Sequence, residues 1–258
     1  MTPDFSKLPK TDSRYIDAIN RNIYEVEEKQ IDNILKAAEL MAQAIKEDRL
    51  LNVYGGGGHT TLVMAEVFFR AGGFACINPI MDIGISTWNN AMKYLEMERT
   101  ENYGASLVRY YKLKKDDVFI IFHNIGVNPT TIDAVLEAKK AGAKVIAISS
   151  SHWQNGLPME HFLRHSSKKN LFELADVCID DYNPLGDAVI QFPGMDIPIA
   201  PVSNLVDFYI AHRMEIECVR ILLKWGIEPP MWKSANVPGG DAYNARLIEK
   251  YNPRIKSL

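Results

Sequence analysis

Residues 50–60 read Leu50-Leu51-Asn52-Val53-Tyr54-Gly55-Gly56-Gly57-Gly58-His59-Thr60. A short apolar run that gives way to glycines and then to a helix-opening threonine marks a strand–loop–helix unit. The helix it opens is expected over 60–71, stopped by Gly72-Gly73. Downstream the pattern returns: a second strand over 74–77 ended by Pro79, a helical stretch over 90–111, and a strand over 117–122. A loop over 123–129, a helix over 130–141 and strands over 144–148 and 176–180 complete the alternation. Apolar runs this short, bounded by turns, suit strands buried on both faces by helices. Repeated βαβ units predict a doubly wound parallel α/β sheet of flavodoxin-like order 2-1-3-4-5, with right-handed crossovers.

Upstream, apolar residues at Ile16, Ile19, Ile23, Val26, Ile31, Ile34, Ala38, Met41 and Ile45 follow helical spacing. Asp12 or Ser13 is placed to cap this amphipathic segment, expected over 12–47 as one bent helix or two. Preceding every strand, it reads as an appendage to the sheet or a dimerisation element. Downstream, an apolar-rich helix is expected over 204–225, stopped by Gly226, and then a proline- and glycine-rich arm over 229–258 with a short helix near 244–250. An arm with so few apolar residues must lie against the body or a second subunit.

The 258 residues carry 29 Lys plus Arg against 32 Asp plus Glu, a net charge of −3, and are 47% hydrophobic. That balance is globular and, with a sequence pI of about 6.1, argues against nucleic-acid phosphate as the main partner. Cys76, Cys178 and Cys218 are an odd number with no C-x-x-C spacing, which fits a reducing compartment and packed thiols. The first thirty residues hold no apolar signal core, and no apolar run approaches the roughly 18 residues of a membrane span. The expected location is the cytoplasm, with no membrane partner.

In an open parallel sheet, ligands bind beyond the carboxyl ends of the strands where the order reverses. The strands ending at Tyr54 and Phe122 are neighbours at that reversal. The first loop offers Gly56, Gly57, Gly58 and Thr60; the second, His123 to Thr131, offers Asn124, Gly126, Asn128, Thr130 and Thr131. Two polar, helix-opening loops at one crevice suit a phosphorylated small molecule. A dinucleotide fits poorly, since the third glycine of its fingerprint and the acid after the second strand are both missing, and no lysine follows the glycines as a Walker loop requires.

These residues resemble the sugar isomerase (SIS) domain family. Gly56-Gly57-Gly58-His59-Thr60, with Ala65-Glu66 and Arg70-Ala71-Gly72-Gly73, is similar to its first βα unit. The run from Ile132 to Ser150 is similar to its phosphosugar-loop helix and following strand. Glu98-Arg99, Leu174-Ala175-Asp176-Val177, Gly186-Asp187-Ala188, Pro201-Val202-Ser203 and Ser234-Ala235-Asn236-Val237 resemble one subfamily of single-SIS-domain proteins described as phosphosugar isomerases. The resemblance implies one SIS domain over 1–258, with a core of about 35–228. It also implies a homodimer or homotetramer and a phosphosugar or related anionic carbohydrate as ligand, with Ser149, Ser150 and Ser203 joining the loop residues around it. No cofactor and no metal are implied. SIS domains usually carry Ser-x-Ser-Gly in the second loop; here His123 and Ile125 stand at the serines, which admits another anion such as a sulfonate.

Aldose–ketose isomerisation needs a base near C1–C2 and an acid near the oxygens. The candidates are Glu98, Glu66, His59 at the crevice mouth and His212 on the last long helix. Related phosphoheptose isomerases use a helix glutamate and a histidine on that helix, and they place the glutamate where this chain has Val67. His161 and His165 are spaced i, i+4 without completing a zinc motif and read as polar surface, although the segment after His165 resembles the subfamily and could reach an anion. Trp153, Tyr182 and Trp232 read as packing. The leading expectation is a sugar-phosphate isomerase. The alternatives are a non-catalytic carbohydrate sensor and an amino-sugar phosphate lyase or etherase.

Overall fold

The computed structural model describes residues 10–258. Five strands form a parallel sheet: β1 (Leu51–Gly55), β2 (Ile77–Pro79), β3 (Val118–Phe122), β4 (Lys144–Ser149) and β5 (Val177–Asp180), in the order β2-β1-β3-β4-β5. Every residue of β1 and β3 is buried, as the unbroken apolar runs require. Tyr54 pairs in register with Ile121, and Gly55 with Phe122, so the two strands end side by side. The doubly wound sheet expected from the sequence is therefore present.

Helices cover both faces. α1 (Arg14–Lys46), α2 (Thr61–Val67) and α8 (Ser203–Lys224) pack on one side; α4 (Tyr103–Tyr111), α5 (Pro129–Lys140) and α7 (Leu171–Leu174) pack on the other. α1 is one continuous helix of 33 residues, and Asp12 receives the Arg14 N–H at its start at 3.0 Å. The polar run Glu27-Glu28-Lys29-Gln30 does not break it, because Glu27 pairs with Arg213 of α8 at 2.7 Å.

Several boundaries differ from expectation, each for a local reason. α2 stops at Val67, since Phe69 takes a left-handed backbone with φ of +49°. β2 lies further along than 74–77 and contains Pro79, which an edge strand tolerates because it needs no N–H on its outer side. The stretch over 90–111 divides into α3 (Ala91–Glu98) and α4 at Asn102, whose φ is +68°. Three elements have no clear sequence signal: α6 (Ser151–Gly156), α7, and an antiparallel ribbon of β6 (Ala188–Ile190) and β7 (Ile199–Pro201). In the arm, α9 (Gly240–Tyr251) buries Leu247 and Tyr251, and Ile255 follows them into the core. Trp232 is 5% exposed, and its segment pairs with residues before β2: Trp232 donates to Gly73 at 2.9 Å and Gly72 to Trp232 at 2.8 Å. No helix among the described residues is long and apolar enough to cross a membrane.

Candidate functional site

The glycine loop after β1 and the loop after β3 meet at a crevice of about 150 Å³. Its wall includes Gly57, Gly58, His59, Thr60, Tyr94, Glu98, His123, Asn124 and Trp153. At Gly57 the reason for glycine is close approach: a Cβ there would stand 2.9 Å from the His123 ring and 3.2 Å from Glu98 Oε1. Any side chain would cover the carboxylate that the loop leaves open.

Glu98 closes α3 and is 4% exposed. Its Oε1 accepts the Tyr94 hydroxyl at 2.7 Å and lies 3.3 Å from His123 Nε2. The His123 tautomer follows from its other nitrogen. Gly126, held at φ of +64°, directs its N–H at Nδ1 from 2.9 Å, so Nδ1 accepts and Nε2 carries the proton toward Glu98. Burial, and then the charge of Glu98, hold the Tyr94 phenol protonated far above the usual tyrosine range. Two donors thus converge on one carboxylate oxygen in a site mostly screened from water.

The hydroxyls of the two loops are largely committed to the chain. Thr60 Oγ1 donates to the Gly57 carbonyl and accepts the Gly57 N–H, both at 2.9 Å, which locks the glycine turn. Thr130 Oγ1 reaches the carbonyls of Met97 and Glu98 at 2.9 and 2.8 Å. Ser149 donates to the His123 carbonyl at 2.7 Å, and Ser150 to the Asn183 carbonyl at 2.6 Å. Ser203 donates its hydroxyl to Asp187 at 2.8 Å and its N–H at 2.9 Å, so a carboxylate from the residue before β6 caps α8. Among the described residues, Thr131 Oγ1 and the Asn128 amide find no hydrogen-bond partner although buried, and Gly56 leaves room for Thr131, whose Oγ1 would stand 2.4 Å from a Cβ there. His59 is exposed at the mouth, where the crevice meets a second hollow of about 460 Å³ under the ribbon, with Asp187 and Ser203 in the shared wall. Among the described residues, neither Lys nor Arg lines the crevice.

Glu66 and His212 also come together, at 3.1 Å, but away from this crevice, neither of them lining it. Glu66 lies six residues past Thr60, roughly 9 Å down the helix direction. His212 Nδ1 meets Glu215 at 2.8 Å, and Arg70 adds a contact to Glu66 at 3.2 Å. The Glu215 contact, and after it Glu66, raises the His212 pKa above the usual 6.5.

Sequence reading missed three parts of the site. Tyr94 lies one turn before Glu98 on α3, a helix without a clear apolar stripe in the sequence. Asp187 sits within the family-like Gly186-Asp187-Ala188, a signal without a role until α8 is placed. The third is a buried pair of acids beneath Asn124, whose Nδ2 donates to Asp181 at 2.9 Å and to Asp207 at 3.1 Å. Burial pushes Asp181 up to about 7, and burial together with the charge of Asp181 raises Asp207 well above its usual range. Two carboxyls so close share a proton. His165, expected on the surface, is 7% exposed.

Residues 14–150 match the SIS domain model, which spans more than half of the chain. The chain belongs to the SIS domain family. Among its relatives, UPF0309 protein Teth39_1980 of Thermoanaerobacter pseudethanolicus is 35% identical over 248 residues, 95% of this chain and 98% of that protein. UPF0309 protein GK1441 of Geobacillus kaustophilus is 32% identical over 246 residues, 95% of this chain and 96% of that one. The fold is similar to phosphoheptose isomerase GmhA from Neisseria gonorrhoeae, with a TM-score of 0.52 at 15% identity over 81% of this chain and 95% of that one. A phosphoheptose isomerase from Francisella tularensis gives 0.50 at 15% identity, over 80% and 95%.

Proposed function

We propose that the chain binds a phosphosugar, or a sugar with a comparable anion, and interconverts its aldose and ketose forms through an enediol. The observation that carries this reading is Glu98: a buried carboxylate at the floor of a glycine-rimmed crevice, with His123 and Tyr94 both donating to Oε1. With Oε1 so occupied, Oε2 takes the proton from the carbon beside the carbonyl and returns it to the neighbouring carbon. His59 at the mouth donates a proton to the carbonyl oxygen as the enediol forms, where it stays as the new hydroxyl, and takes a proton from the neighbouring hydroxyl as the new carbonyl closes.

For the anion, the N–H groups of His59 and Thr60 donate to no backbone carbonyl among the described residues and stand at the loop that rims the crevice. Backbone donors can hold an anion in a wall that, among the described residues, has neither Lys nor Arg. On the same reading the chain acts as one SIS domain with a leading helical segment and a trailing arm, as a homodimer or homotetramer in the cytoplasm, without metal or nicotinamide.

Incubation with a panel of sugar phosphates in deuterated water tests the reaction. Deuterium entering C1 or C2 of one sugar is the expected result. Binding without exchange would make the chain a sensor, and release of a substituent would make it a lyase or etherase.

A further inference from the structure

Of the eight residues of α3, Glu98 is the one fully buried; Tyr94 packs against the core, and the other side chains are exposed or half-buried. The body also grips the helix at its end. α5 supplies two side chains one turn apart: Thr130 on the Met97 and Glu98 carbonyls, and Asp133, whose Oδ2 accepts the Asn102 N–H. Asn102 is the left-handed residue where the chain turns from α3 into α4. Two residues on, Gly104 lies so near α5 that a Cβ would stand 1.9 Å from the Thr130 carbonyl. The turn that carries Glu98 is thus pressed onto the first turns of α5.

His165 fixes the orientation of Asp133. Its Nε2 lies 3.2 Å from Asp133 Oδ1, and its Nδ1 accepts the Ser167 N–H at 3.0 Å, which leaves the ring proton on Nε2 to be donated to Asp133. Ser167 Oγ stands 2.7 Å from Nδ1, giving the atom order of a hydrolytic triad. That lone pair already receives the Ser167 N–H, however, so it is not free to activate the hydroxyl. Asp133 and His165 are each 7% exposed, which keeps water from replacing the bond between them. The same loop grips the turn again, through Glu101 and the Ser166 N–H at 2.8 Å.

We propose that Asp133 and His165 are positioning residues for Glu98: their hydrogen-bonded pair locks the turn between α3 and α4 onto α5 and so keeps the carboxylate against His123 and Tyr94. The kinetic part of this inference rests on the reading of Glu98 as the base; the positioning itself does not.

Three variants of the full-length chain, at His165 and Asp133, test it against two reference variants, with the ring N–H signals of 15N-histidine-labelled protein as the readout. His123→Gln assigns the His123 Nε2–H signal by removing it. His165→Leu is expected to move that signal toward its position in Glu98→Gln, and His165→Gln, which keeps a donor where Nε2 stood, restores it. Asp133→Asn, of equal size, moves it too and covers the case of a leucine variant that does not fold. For a sugar that the wild type exchanges, His165→Leu lowers kcat roughly 10- to 100-fold with KM within about twofold, the pattern of a displaced base. A His123 signal unchanged in both His165→Leu and Asp133→Asn overturns the proposal. A wild type that exchanges no sugar, with the signal still moving, removes the isomerase reading and leaves the positioning standing.

Discussion

Glu98→Gln keeps the volume of the side chain and an acceptor for Tyr94 while removing its basicity. Loss of general-base catalysis costs roughly 10²- to 10⁴-fold, so deuterium exchange should fall by that factor. Ligand-induced thermal shift should persist, and exchange at the wild-type rate would remove Glu98 from the mechanism. The acids under Asn124 give a second prediction at this scale. Asp181 rises from an ordinary 3.8 to about 7 in the folded chain. A carboxyl raised by folding supports stability fully below its unfolded value and loses that support as pH climbs through the folded one. Stability should therefore fall between about pH 4 and pH 7 as Asp181 gives up its proton beside Asp207. Asp207→Asn removes the repulsion, and its gain in Tm over the wild type should be larger at pH 8 than at pH 5. At this scale the sequence showed residue types and their neighbourhood in the chain, so Glu98 and His123 could be named separately. Their meeting depends on a turn held by Asp133 and His165 from two distant segments, and local spacing carries no trace of that.

Among the elements, the strands were legible because burial on both faces demands unbroken apolar runs such as Val118-Phe119-Ile120-Ile121-Phe122. The helices were legible where one face is apolar, as in α1. What escaped was set by contacts across the chain. β6 and β7 are three residues each and pair only with one another. α2 ends early at a left-handed phenylalanine that no propensity would place there, edge-on to Trp232 with ring centroids 4.9 Å apart. That contact makes Trp232 the pin of the arm. Trp232→Ala should cost about 3–5 kcal/mol by denaturant titration. The crevice lies elsewhere, so exchange per folded molecule should stay near the wild-type rate.

At the scale of the molecule, one arrangement unites these details: the order reversal between β1 and β3 sets two loops side by side, and all the rest of the crevice is built against them. A net charge of −3 does not oppose an anionic ligand in such a site, because the loop backbone meets it first. The arm does something different for the whole. By pairing through Gly72, Gly73, Ala75 and Trp232 it covers the segment that leads into the edge strand β2, where peptide groups would otherwise stand open. Open margins of this kind recruit strands from other copies. A chain cut after Ile227 should consequently self-associate, with light scattering that grows with concentration and temperature, while the full-length chain stays clear. Residues 228–258 then serve as a guard on solubility, a duty separate from that of the crevice.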